Sequence, residues 1–116
     1  MLLDIDKFNK DHTHHHFSDG LYAKEIHIPE GSLVVQHKHT YSHLSVLAKG
    51  KVVVQVGEEE PIIVSAPACL DIKANIHHGI KALTDTVWFC VHATDEKDIN
   101  KIDEVIVSGA DHSKGE

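Results

Sequence analysis

Eight short runs of strand-forming residues, each closed by turn residues, set the main constraint on how this chain folds. Leu21 to Ile28 stops at Pro29-Glu30-Gly31, and Leu33 to His37 follows. His43 to Ala48 ends at Lys49-Gly50, and Lys51 to Val56 ends at Gly57 and three glutamates. Pro61 to Ser65, Cys69 to Ile72, Ile76 to Leu83 and Thr86 to His92 complete the series. Short runs of this kind, at turn spacings of about 8–12 residues, predict an antiparallel sandwich or small barrel. With 116 residues, 41% of them apolar and 25% charged, the chain suits one folded domain with one core.

The two ends read differently from the middle. Residues 1–20 form an N-terminal arm, in which Leu3, Ile5 and Phe8 make a small apolar patch. A polar stretch with His12 and His14 to His16 follows, expected as a solvated loop in preference to a second metal patch or a lid. Residues 21–93 hold the strands. In residues 94–116, Thr94-Asp95-Glu96 resembles a helix start, with acids at the favourable end of the helix dipole. Ile99, Ile102 and Ile106 fall at helical spacing, so a short C-terminal helix on the barrel is expected. Val105-Ile106-Val107 reads equally as a strand, and residues 108–116 as a frayed tail.

Composition excludes several kinds of partner. Eighteen acids stand against eleven lysines, the net charge is −7, and there is no arginine. Nucleic-acid binding needs a basic surface and forked guanidinium contacts, so no nucleic-acid partner is expected. The apolar runs, such as Val87 to Val91, fall far short of the roughly 20 residues of a membrane span. The acids in Met1-Leu2-Leu3-Asp4-Ile5-Asp6 do not suit a signal peptide, so a cytoplasmic location is expected. Cys69 and Cys90 are then expected as buried free thiols, and the lack of CxxC spacing argues against cysteine ligands. Nothing in the chain matches a phosphate-cradling glycine loop, a nucleophile elbow or a His-Glu-x-x-His helix.

Twelve histidines, against six Phe, Tyr and Trp residues, point toward metal chemistry. His37 and His39 are two apart, so on a strand both imidazoles enter one interior. His43 follows at another even step, and His77-His78 lies on a later strand that could return beside them. Neutral imidazoles converging on a rigid sheet are what a transition-metal ion prefers.

The stretch Gly31 to Gly50 resembles the first motif of the cupins: Gly, five residues, His, one, His, three or four, Glu, six, Gly. Every spacing fits, and His43 stands in place of the glutamate. The second motif is degraded: aligned on His78, Pro67 replaces its first glycine, Lys73 its proline and Asn75 its second glycine. Asn tolerates the left-handed turn better than most residues. The resemblance covers about residues 21–93. It implies an all-β fold, a small antiparallel double-stranded β-helix or jelly-roll barrel, with one divalent metal in its mouth. The ligands it carries over are His37, His39 and His78, with His43 a fourth by position. An all-imidazole site leaves the ion its full charge and suits iron, zinc, nickel or copper. With the glutamate missing, acid–base chemistry would fall to a metal-bound hydroxide, His92 or Tyr41.

Two functions of different class follow. One is a non-haem metal enzyme, dioxygenase-like, acting on a small molecule in a cavity shaped by Val34, Val46 and Val54. The other is a non-catalytic metal- or ligand-binding module, a sensor or structural dimer, with a closed zinc site. His27 is expected on the first strand, with its side chain as readily facing solvent as not, and His92 as a core or rim residue in preference to a support for a ligand. A homodimer that covers edge strands is a further expectation from the resemblance.

Overall fold

In the computed structural model, which describes residues 2–4, 12–36 and 42–102, ten strands pair into two sheets of five. They are β1 (Leu2–Asp4), β2 (Thr13–Ser18), β3 (Leu21–Ile28), β4 (Leu33–Gln36) and β5 (His43–Lys49). β6 (Lys51–Val56), β7 (Ile62–Ser65), β8 (Ala68–Ile72), β9 (His78–Ala82) and β10 (Thr86–Ala93) follow. One sheet has the order β1-β4-β9-β6-β7 and the other β2-β3-β10-β5-β8. Consecutive strands often lie in different sheets, which makes this a jelly roll and not a simple meander. All pairings are antiparallel except β1 with β4, where Leu2 to Asp4 run parallel to Leu33 to Val35.

Side chains of period two build the core between the sheets. In β3, Tyr22, Lys24, Ile26 and Ile28 are buried; in β10, Thr86, Trp88, Cys90 and His92 are. From the other sheet come Val34, Val52, Val54, Ile80 and Ala82. Gly50 makes the tight link from β5 to β6 at φ +99°, and Asn75 takes φ +62° before β9. Asn75 thus does adopt the left-handed conformation that the missing glycine would supply. At the end of the barrel, Asp85 Oδ1 accepts the Glu30 amide at 2.9 Å and ties two turns together.

All eight expected strands are present, and four expectations change. The histidine stretch before Leu21 is not a loop: Thr13–Ser18 is β2, paired with β3 from Thr13↔Ile26 to Ser18↔Leu21. Its apolar content is too low for a pattern to announce it, but β3 offers an edge whose amides need partners. Val46 does not line the interior. His43, Ser45 and Leu47 take the inner face of β5, so Val46 lies on the outer one, across from Phe89. Cys69 is exposed for the same parity reason, and both cysteines are free thiols.

The fourth change concerns the C-terminal segment. No helix begins at Thr94, which stays tied to the sheet end: its amide reaches the Gly20 carbonyl at 3.1 Å and its Oγ1 accepts the Glu96 amide at 3.1 Å. The first helical turn starts at Asp98, whose carbonyl accepts from the Lys101 and Ile102 amides at 3.0 Å, while Oδ1 takes the Asn100 amide at 2.8 Å. Ile99 is exposed, and Ile102 is buried with Tyr22 and Phe17. Ile106, Val105 to Val107 and the tail lie outside the described residues, as do Ile5 and Phe8.

Candidate metal centre

Three adjacent strands, β3, β10 and β5, carry the interior from apolar to polar along their length. The register sets Ile26, Trp88 and Leu47 side by side, then Lys24, Cys90 and Ser45, then Tyr22 and His92. One step beyond the paired Leu44 of β5 stands His43, next to His92. The first row is all apolar; the second and third are polar yet equally buried. Burying polar groups is unfavourable unless they are engaged, so a polar end of a barrel core marks a site more often than a packing choice.

The His43 and His92 rings stack with centroids 4.5 Å apart and an interplanar angle of 26°. One donor atom from each, and the Cys90 thiol, all lie within 4.8 Å of one another. The Ser45 hydroxyl donates to Cys90 Sγ at 3.8 Å, which sets the thiol's position in the row. Tyr22 stacks on the other side of His92 at 6.1 Å. His15 of β2 shares a 2.7 Å hydrogen bond with the Tyr22 hydroxyl. His92 is therefore held between two rings, with its plane set by the neighbours on both strands. At the apolar end, the buried Trp88 Nε1 finds no acceptor among the described residues.

The residues proposed from the sequence divide into three groups. His43 and His92 come together, both buried, with their rings stacked. His78 is buried at the start of β9 in the facing sheet, paired in register with Gln36 and Val56, while His77 is exposed. His78 stands outside the group of mutually close donors formed by His43, Cys90 and His92. His37, His39 and Tyr41 lie outside the described residues.

Cys90 is the ligand-type side chain of this group that the sequence reading set aside. A signal existed: Cys90-Val91-His92 places a thiol and an imidazole two apart, hence on one face of a strand. The CxxC criterion looks for cysteine pairs and does not see a lone cysteine beside a histidine.

Two imidazoles and a thiol, buried and mutually close, fit a divalent transition ion and not magnesium or calcium, which take oxygen donors. A thiolate would also bring one negative charge that an all-imidazole site lacks. Two clefts among the described residues have other linings. One of about 330 Å³ is lined by residues that include His12, His27, Lys49 and Asp85, and one of about 200 Å³ by residues that include Phe17, Leu21 and Val91. Among the described residues no helix is long and apolar enough to cross a membrane.

No protein-family model matches the chain, and no curated protein does. Solved structures do. A cupin family protein from Methanocaldococcus jannaschii with a double-stranded β-helix fold matches at TM-score 0.60 and 15% identity, over 72% of this chain and 81% of that one. KdgF from Halomonas matches at TM-score 0.59 and 19% identity, over 72% and 77%. HppE in its iron(II) form matches at TM-score 0.54 and 10% identity, over 62% of this chain and only 43% of that one. Identities this low speak to the fold alone. The two facing sheets, their strand order and these likenesses together give the chain the double-stranded β-helix fold of a small cupin domain.

Proposed function

We propose that this protein binds one divalent transition metal inside its barrel and acts from there on a small molecule. The observation that carries this reading is the convergence of His43, Cys90 and His92 at the polar end of an otherwise apolar interior. In this reading His43 and His92 hold the ion, and Cys90 is a third donor. His78, and His37 and His39 from the segment between β4 and β5, are the remaining candidates, of which the ion takes one or two, so that a place in its shell stays open. Tyr41 contacts the bound small molecule. When bound, such a metal supplies Lewis-acid or redox chemistry at a position left open. HppE, which shares the fold, was solved with iron(II), which favours a non-haem enzyme of the dioxygenase-like kind.

The chain's own residues have definite tasks here. The apolar wall of Trp88, Leu47, Val54 and Ile80 excludes water from behind the site. Ser45 orients the Cys90 thiol, and Tyr22, stacked on His92, helps fix the orientation of that ring. Lys24, buried across from Cys90, adds a polar side chain to the same row of the interior.

A second reading is favoured by one feature, the thiol itself. Cysteine donors are frequent in closed structural zinc sites. In that case the protein is a zinc-binding module without turnover. Metal analysis of untagged protein purified without a metal column tests both. Wild type is expected to retain one equivalent more after desalting than the His43→Ala/His92→Ala double variant. Equal retention by that variant would remove the interior site from consideration. X-ray absorption at the metal edge then separates the readings: bound water supports the enzyme, whereas a shell made only of protein donors supports the module. A cytoplasmic homodimer belongs to the same reading. Light scattering that gives a monomer removes the dimer without touching the metal site.

A further inference from the structure

The outer face of the β2–β3 pair carries a second, separate group of ligand-type side chains. Period two sends His15, Tyr22 and Lys24 toward the interior, and so sends His14 and His16 of β2, and Glu25 and His27 of β3, outward. In register His14 stands directly across from Glu25, His16 lies across from Ala23, and His27 follows Glu25 by two. The Glu25 carboxylate is gripped from two sides: His27 Nε2 donates to one oxygen at 2.5 Å and His16 Nε2 to the other at 2.8 Å. The His14 and His27 rings meet edge to face, with centroids 5.3 Å apart at 82°. A donor atom from each of His14, Glu25 and His27 lies within 4.8 Å of the other two.

A surface glutamate in a sheet usually meets one lysine, and such a pair contributes little. Three imidazoles around one carboxylate are a different arrangement. His16 and His27 suffice to hold Glu25, and His14 brings a third ring to the group without a hydrogen bond to either carboxylate oxygen. All four side chains stand on paired strands and not on a loop, so their backbone positions are set before any ion arrives. The carboxyl group is also ready as an anion. The hydrogen bond from His27 holds its pKa below the usual glutamate value, that from His16 adds to the effect, and partial burial opposes both.

We propose that His14, Glu25 and His27 form a second metal site, on the outside of the barrel, that takes a divalent transition ion such as zinc, with His16 as a fourth donor. Three imidazole nitrogens and one carboxylate oxygen suit zinc, nickel or copper over magnesium or calcium. Binding keeps each imidazole neutral, with its single proton on the nitrogen away from the ion. The ion then takes over the place that the His27 and His16 N–H groups occupy at the carboxylate. The side chains are partly open, with relative exposures of 20% at Glu25, 44% at His27 and 54% at His16, so an ion reaches them without opening the fold. The site stands on a different face from the interior centre and does not depend on it.

The test is a zinc titration of the untagged full chain by calorimetry, with a competing chelator. Wild type is expected to bind one zinc more per chain than His14→Ala/His27→Ala, and Glu25→Gln to weaken that outer zinc at least tenfold. The interior variant His43→Ala/His92→Ala is expected to keep it. An unchanged number and affinity of zinc ions in His14→Ala/His27→Ala would overturn the proposal. Long-range nitrogen–proton NMR on the wild type gives a readout independent of any variant. Zinc should lock His14 and His27 each in one tautomer. Imidazole signals of these two residues that do not respond to saturating zinc would overturn it as well.

Discussion

At Gly50 the backbone runs at φ +99°, and a Cβ added there would fall 2.6 Å from the Asp85 carbonyl oxygen and 2.7 Å from Thr86 Oγ1. Both conformation and space therefore demand glycine. Gly50→Ala is expected to lower the unfolding free energy by about 1–3 kcal/mol, the range for a residue forced into a sparsely populated backbone region. Urea unfolding measures it. Asn75, at φ +62°, is the milder case, and Asn75→Gly should change stability by less than about 1 kcal/mol. Asn75→Val should be destabilising, since a β-branched residue tolerates this conformation poorly. A neutral Asn75→Val in the same urea experiment would refute the reading of this turn. Both residues were legible in the sequence, because positive φ restricts residue type through local sterics that need no tertiary partner. Cys90 was less legible, since whether a lone thiol meets two imidazoles depends on which strand lies next to β10.

Strand periodicity carried most of the element-level reading. Lys51 to Val56 alternates valines with polar or outward residues, and its bounds came out unchanged as β6. β2 was missed because its alternation is between imidazoles and its reason to exist is the open edge of β3. The turn at Asp98 was misplaced by four residues because acids near Thr94 serve a sheet-end turn as readily as a helix start. That turn matters to the interior, since Ile102 is fully buried beside Tyr22, whose ring stacks on His92. Ile102→Ala is expected to lower stability by about 2–5 kcal/mol, the usual range for truncating a buried isoleucine. Thermal unfolding checks this, and a shift within error would mean that the segment does not cover Tyr22 in solution. Tyr22→Phe removes the bond to His15 and should lower stability by about 1 kcal/mol, read by the same method.

For the molecule as a whole, an interior metal couples site and stability. An ion that binds only the folded chain, at a free concentration a hundredfold above its dissociation constant, raises the unfolding free energy by about 2.7 kcal/mol. In the His14→Ala/His27→Ala background, where the outer group is gone, iron(II) or zinc should still raise the melting temperature and a chelator should reverse it. A melting temperature indifferent to both would count against the interior centre. Read alone, the sequence determined the all-β class, the run of short strands and the glycine-type turns. These follow from short-range sterics and from a two-residue repeat. The tertiary structure decided which strands lie side by side, and with them the partners of His92 and Glu25. Antiparallel neighbours in a jelly roll are distant in the chain, and their register is set by packing two sheets against each other, which no local pattern encodes.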